Sequence, residues 1–359
     1  MRLFAVPIAT ALLLVSPLLA QTFVDATSWQ SWGTAHAHVM VAGVPSDGAI
    51  SVSAPLAEDV TIASDPGVAL AATLRTPGGS RRHPAVLLLA GGGAWPRGGY
   101  GQLKERLLAH GIATLDYDKR GVGQSTGTFL DTNEVMAQDA TAAVRWLRTR
   151  PDIDPARIAV LGLSQGGVVG PMVAAVDRRI AAVVALAGPA GRARDMFMDE
   201  MALKLPALGV RDAALTRVLA AGRRFMDAQV DGTPVAPARK RLRNELIAVP
   251  LEPAIVDGAL ATLEGPVALS QYRLDASGNL AAIRAPVLAL YAGSDEIVNT
   301  RRSLPAARLA LKANPNATIC EIPGLTHVFA RMEGGMPGPE ALSDPATLGI
   351  VTDWLRRHL

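Results

Sequence analysis

Ile158-Ala159-Val160-Leu161-Gly162-Leu163-Ser164-Gln165-Gly166 is the stretch from which the rest of the chain can be read. An unbroken apolar run ends in Gly-x-Ser-x-Gly. Such a run is expected of a strand buried on both faces, and the glycines that follow it permit a turn too tight for a Cβ. A serine hydroxyl becomes a useful nucleophile when a sharp strand-to-helix turn holds it beside a base. In a chain with 34 glycines the pentapeptide alone is equally compatible with an ordinary Gly/Ser turn. Its standing therefore depends on what lies around it.

Strand and helix signals alternate on both sides. Val60–Ile62 and Val68–Leu74 read as two early strands around Ser64-Asp65-Pro66-Gly67. Ala85–Leu89, Ile112–Leu115, Ile158–Leu161, Ile180–Ala187, Val287–Tyr291 and Thr318–Ile322 follow as further strands. Helical spacing appears over Tyr100–His110, Asn133–Arg148, from the pentapeptide to about Ala175, and over Thr347–Leu359. This alternation predicts an α/β fold with a mostly parallel, doubly wound sheet. Pro171 falls inside the helix after Ser164, where it removes a hydrogen bond.

The rhythm stops between Gly191 and Asp275. Helix-like segments at Met196–Leu205, Arg211–Met226 and Ala238–Ala248 replace strands, and methionines recur at 196, 198, 201 and 226. The stretch reads as a helical cap inserted between two sheet strands. Its methionines either line an acyl pocket or form the core of the cap itself. The expected organisation is a leader over 1–20, an extension over 21–57, a core in two parts over 58–190 and 276–359, and the cap over 191–275.

The leader is expected from Arg2, the apolar run through Val15, and Leu18-Leu19-Ala20 before Gln21. It points to a periplasmic or secreted protein with no stable membrane insertion after cleavage. Bulk properties exclude other classes. With 359 residues, 49% hydrophobic content and a net charge of +3, the chain can bury a large core. Its basic residues are scattered, so no nucleic-acid partner is expected. Cys320, the sole cysteine, sits in the apolar-rich run Ala317–Ile322 and reads as a small buried hydrophobe. One cysteine excludes both an intramolecular disulfide and a multi-thiolate metal site. His36 and His38 lie without a ligand-rich neighbour segment, so no metal and no cofactor are expected.

A nucleophilic serine needs a base and a group to orient it. His327, in Gly324-Leu325-Thr326-His327 after the last strand, fits the base. His83 precedes a strand, His110 closes a surface helix and His358 adjoins the end of the chain. Asp295, in Ala292-Gly293-Ser294-Asp295 after a strand, fits the orienting acid, and Glu296 beside it is the alternative. An oxyanion needs two N–H donors. Gln165, directly after the serine, offers one, and Gly92 in Ala90-Gly91-Gly92-Gly93 after the strand Ala85–Leu89 offers the other, with Gly93 next. The glycine run lacks the Lys-Ser/Thr of a phosphate cradle.

These motifs, with Asp118-Lys119-Arg120-Gly121-Val122-Gly123-Gln124-Ser125-Thr126-Gly127, resemble the α/β-hydrolase superfamily over about residues 58–359. More narrowly they resemble a bacterial serine esterase group related to dienelactone-hydrolase-like and serine-aminopeptidase-like enzymes. The order Ser164, Asp295, His327 is the one expected in that fold. The resemblance implies an α/β-hydrolase fold and cleavage of a small-molecule carboxylic ester without a cofactor. It also implies a structural role for Asp118–Gly127, braced by Arg120. Gly93-Ala94-Trp95-Pro96-Arg97 departs from the acidic or polar pattern of many relatives. Amide or peptide cleavage on the same fold is the alternative activity, and a non-catalytic binding protein the third reading.

Overall fold

The computed structural model describes residues 55–79, 81–249, 253–333, 336–337 and 342–359. The leader expected over 1–20, the extension up to residue 54, and His36 and His38 within it lie outside the described residues.

Eight strands form one sheet. β1 (Leu56–Ala63) begins inside the stretch assigned to the extension and pairs antiparallel with β2 (Ala69–Thr76). β3 (His83–Leu89), β4 (Ala113–Tyr117), β5 (Ile153–Leu163), β6 (Ala182–Leu186), β7 (Val287–Ala292) and β8 (Ala317–Ile322) follow. The spatial order is β1-β2-β4-β3-β5-β6-β7-β8. β2 runs antiparallel to both its neighbours, β1 and β4; β3 to β8 are mutually parallel. All carboxyl ends of those six strands therefore open on one edge, where ligands bind in such sheets.

Alternation of side chains along the strands feeds two cores. Ala85, Leu87 and Leu89 of β3 and Ile158 and Val160 of β5 face α2 (Asn133–Thr149) and α3 (Gly166–Val176), where Ala140, Val144, Leu147, Val169 and Val173 are buried against them. Val86, Leu88, Ala159 and Leu161 face the other way. They pack with Leu103 and Leu107 of α1 (Gly101–Ala109) and with Val351, Trp354 and Leu355 of α11 (Pro345–His358). Each strand residue meets a helix whichever way it points, which is why the runs are apolar without interruption.

Between β6 and β7 the chain makes α4 (Ala193–Lys204), a 3-10 turn at Leu205–Leu208, α5 (Asp212–Asp231), α6 (Val235–Ile247), α7 (Pro253–Thr262) and α8 (Pro266–Arg273). These helices close their own core around Phe225, Leu242, Val256, Leu260 and Tyr272. Met198, Met201 and Met226 are buried in it, so these three are core of the helical unit and not pocket lining. The two ends of the unit meet: Ala193 N–H donates to Leu274 O at 3.1 Å and Ala276 N–H to Gly191 O at 3.1 Å. It also touches the sheet-bearing core, where the Ser270 hydroxyl of α8 accepts from Asn133 N at 2.9 Å and donates to Glu134.

α9 (Ala276–Ala282) and α10 (Thr300–Ala310) complete the packing of the first core, and a two-stranded ribbon of β9 (Met332–Glu333) and β10 (Met336–Pro337) follows β8. α10 encloses Pro305, which hides the helix from a reading of the sequence. Among the described residues no helix is long and apolar enough to cross a membrane.

Candidate active site

Ser164 follows β5 directly and adopts φ 58°, a left-handed conformation that a residue with a side chain rarely holds. Such local strain persists only where the surroundings over-determine it. Here Ser164 N–H donates to Leu186 O at 2.8 Å. A Cβ on Gly162 would stand 2.2 Å from Gly166 O, and one on Gly166 would stand 2.5 Å from Leu89 O. Both glycines are therefore required by backbone approach.

Pro171 lies inside α3 and cannot donate to the Gly167 carbonyl. That carbonyl faces the end of β6, where a Cβ on Gly188 would come within 2.7 Å of it.

His327 lies past β8 and Asp295 past β7. His327 Nδ1 is 2.9 Å from Asp295 Oδ2 and 3.0 Å from Oδ1. Asp295 Oδ1 also accepts the Ile297 and Val298 N–H groups at 2.8 and 2.7 Å, which fixes the carboxylate within its own turn. Side-chain exposure is 3% for His327 and nil for Asp295. Glu296, the alternative acid, accepts the His327 backbone N–H at 3.1 Å and does not touch the ring. With Nδ1 donating to Asp295, Nε2 is left as the acceptor nitrogen. Nε2 is buried and has no hydrogen-bond partner among the described residues, so it is not bonded to the Ser164 hydroxyl in this structure. Catalytic hydrogen bonds are often long before substrate arrives.

Other histidines are elsewhere. His83 opens β3 at the opposite edge of the sheet, and burial pulls its ring below the ordinary histidine value. His110 caps α1, and His358 stacks on Trp354.

Gln165 precedes α3, where the first backbone N–H groups of a helix have no intrahelical acceptor. Its side chain donates to Asp131 O at 3.3 Å and to Asn133 Oδ1 at 3.2 Å. The glycine loop follows β3 and lies against the elbow: a Cβ on Gly91 would be 3.4 Å from Ser164 Cβ. Gly93 N–H is engaged by Asp131 Oδ2 at 2.6 Å. No hydrogen bond from Gly92 N–H is formed among the described residues. Of the two candidates, Gly92 is thus the one with a donor to offer.

The loop after β4 braces this region. Asp118 accepts Arg97 N–H at 2.7 Å, the Arg97 guanidinium at 2.6 Å and Gln124 N–H at 2.8 Å. Arg120 pairs with Asp139 at 2.6 Å and Asp65 at 2.9 Å, away from the serine. Two residues that composition and spacing do not single out, Lys119 and Asp131, form a buried ion pair at 2.8 Å beneath the glycine loop. Among the described residues no group of three or more His, Cys, Asp or Glu side chains is arranged to hold a metal ion.

Residues 81–331 match the family described as serine aminopeptidase, S33, a span holding every site residue from the glycine loop to His327. The chain belongs to this family of α/β hydrolases. Among curated relatives, an uncharacterised protein of Mycobacterium tuberculosis is 37% identical over 132 residues, 36% of this chain and 45% of its own length. The polyketide transferase grgF of a Penicillium species is 33% identical over 111 residues, 30% of this chain and 37% of its own. The chain thus spans less than half the length of these relatives. The crystal structure of the Penicillium α/β hydrolase GrgF is similar with a TM-score of 0.55 at 20% identity, over 84% of this chain and 99% of that one. Acetyl xylan esterase 1 of a Thermoanaerobacterium species has a TM-score of 0.54 at 16% identity, over 87% of this chain and 86% of that one. At these identities the likeness is one of fold.

Proposed function

We propose that the chain is an exported serine hydrolase that cleaves carboxylic esters through an acyl-enzyme on Ser164. The observation that carries the reading is the strained Ser164 at the same sheet edge as a buried His327 whose Nδ1 is held by Asp295. In the first half-reaction Ser164 Oγ attacks the ester carbonyl carbon as His327 Nε2 takes the hydroxyl proton. Asp295 keeps the ring in the required tautomer and stabilises the imidazolium. The tetrahedral oxyanion is held by the N–H groups of Gly92 and Gln165. The C–O bond to the alcohol breaks as His327 returns the proton to the leaving oxygen. Water, deprotonated by the same nitrogen, then releases the acid and restores Ser164. The steps use side chains and backbone N–H groups of the chain and, for release of the acid, one water, and none calls for a cofactor. Action in the periplasm or outside the cell rests on the leader-like residues 1–20.

Amide cleavage is the second reading, favoured by the aminopeptidase description of the family. A chain-length series of p-nitrophenyl esters set against aminoacyl-anilides separates the two. The ester reading expects kcat/KM on the best ester to exceed that on every anilide by at least about 100-fold, or ~2.7 kcal/mol in barrier. Comparable or better turnover of an anilide contradicts it.

A further inference from the structure

Lys119 is a lysine with 7% side-chain exposure, and its Nζ has two acceptors: Asp131 Oδ1 at 2.8 Å and the Gly91 carbonyl at 2.6 Å. Burial pulls the ammonium below the ordinary lysine value, against the pull of Asp131 in the other direction. A buried pair of this kind is weak evidence for stability, since apolar replacements are often neutral or better. Its placement is more informative.

A trans peptide unit is planar, so its C=O and the following N–H point in opposite directions. The Gly91 carbonyl and the Gly92 N–H belong to one such unit. By holding the carbonyl, Lys119 turns the Gly92 N–H to the opposite side. The next unit is fixed as well: Gly93 N–H donates to Asp131 Oδ2 at 2.6 Å, and Gly92 O accepts from Trp95 Nε1. Both peptide planes flanking the Gly92 Cα are therefore pinned, in a run whose glycines impose no direction of their own. The second proposed donor is tied to the same residue, because the Gln165 side chain donates to the Asp131 carbonyl at 3.3 Å.

We infer that Lys119 and Asp131 are positioning residues that aim the oxyanion donors, Lys119 by orienting the Gly91–Gly92 peptide and Asp131 by joining the glycine loop to Gln165. The inference rests on the serine-hydrolase reading above. Neither side chain touches substrate. Their effect is on the transition state, where the oxyanion exists, and not on ground-state binding.

The test compares wild type with Lys119→Met, Asp131→Asn and, as an ion-pair control at the opposite edge of the sheet, Arg148→Met, which removes the partner of Asp177 beyond the end of α3. Three quantities are read: kcat and KM on a p-nitrophenyl ester, the inhibition constant of a trifluoromethyl ketone that adds Ser164 as an oxyanion, and that of the matching methyl ketone. Lys119→Met is expected to lose about 10- to 100-fold in kcat. KM and methyl-ketone binding should stay within about twofold, while trifluoromethyl-ketone binding weakens in parallel with kcat. Asp131→Asn retains an acceptor for Gly93 and should lose about 3- to 10-fold in kcat, again without a KM change. Arg148→Met should lower Tm and leave kcat unchanged.

If folded Lys119→Met keeps kcat within about threefold of wild type, or loses affinity for both ketones alike, the inference is overturned. Where Lys119→Met does not fold, Asp131→Asn decides: unchanged kcat overturns the inference, and a kcat-only loss supports it. A wild type that hydrolyses no ester and takes no fluorophosphonate overturns the hydrolase reading, and the inference with it. An active, labelled wild type with fully active variants overturns the inference alone.

Discussion

The Asp295 carboxylate receives His327 Nδ1 across both oxygens, at 2.9 Å from Oδ2 and 3.0 Å from Oδ1, and its Oδ1 also accepts two backbone N–H groups of its own turn, while Glu296 beside it accepts the His327 main-chain N–H. The two neighbouring acids are thus given different work. Asp295→Asn is expected to lower kcat by about 10³- to 10⁴-fold, because the amide can stabilise the wrong ring tautomer. Glu296→Gln should cost less than about tenfold, since an amide oxygen still accepts the backbone N–H. Steady-state kinetics of the two variants on one ester check the assignment; equal losses would contradict it.

Backbone approach at the elbow leaves no room for a methyl group. Gly162→Ala would set a Cβ 2.2 Å from the Gly166 carbonyl, a contact that only a shift of the turn relieves. We expect a destabilisation of about 3 kcal/mol or more together with loss of activity, by analogy with severe overpacking. Gly349→Ala in α11, where nothing lies within 4 Å, should be neutral or mildly stabilising. Urea denaturation of both variants gives the comparison.

The helices α4 to α8 hold a core separate from the two that flank the sheet. Phe225, fully buried within it, should cost about 3–5 kcal/mol on truncation to alanine. Because its partners belong to the same inserted helices, the loss is expected to appear first as local opening. Limited proteolysis of Phe225→Ala should cut between α4 and α8 before it cuts the sheet. Uniform cleavage along the chain would show that the inserted helices and the sheet unfold as one.

Acid should weaken the fold through carboxylates held below their ordinary value of 3.8. The Arg150 side chain, chiefly by hydrogen bonding, depresses Asp152. Burial alone would raise Asp344, but the Thr347 N–H and hydroxyl and Arg331 outweigh it and hold the carboxyl low. A depressed folded value means that the unfolded chain binds protons first. The stabilisation is fully present above the unfolded value and is lost as pH falls through the folded one. The urea midpoint should therefore fall below about pH 4 through these carboxylates, after an earlier decline that begins near the ordinary histidine value of 6.5, where the unfolded chain protonates His83 before the folded one does. Asp344→Asn, which keeps an acceptor for the α11 N-terminus, should make that fall shallower.

Local signals made much of the fold and site legible. Ser164 announces itself because a buried strand, two glycines and a helix are contiguous. His327 and Asp295 stand out because each follows an apolar strand. The choice between Asp295 and Glu296 was a matter of preference in the sequence, since it depends on a turn that folds Ile297 and Val298 back onto one carboxylate. Lys119 stands in the loop that carries the family resemblance, but nothing in the sequence marks its burial or its pairing with Asp131, 12 residues further on. α10 was hidden by Pro305, and the antiparallel edge made by β1 and β2 depends on pairing that no single strand encodes.

Whether Ser164 is the nucleophile is read by incubating the purified chain with a fluorophosphonate and locating the adduct by peptide mass spectrometry. One stoichiometric adduct is expected on the peptide containing Ser164, formed in parallel with loss of esterase activity, and no adduct on Ser164→Ala. A wild-type protein that stays unlabelled while hydrolysing esters, or an adduct that persists on Ser164→Ala, would contradict that role.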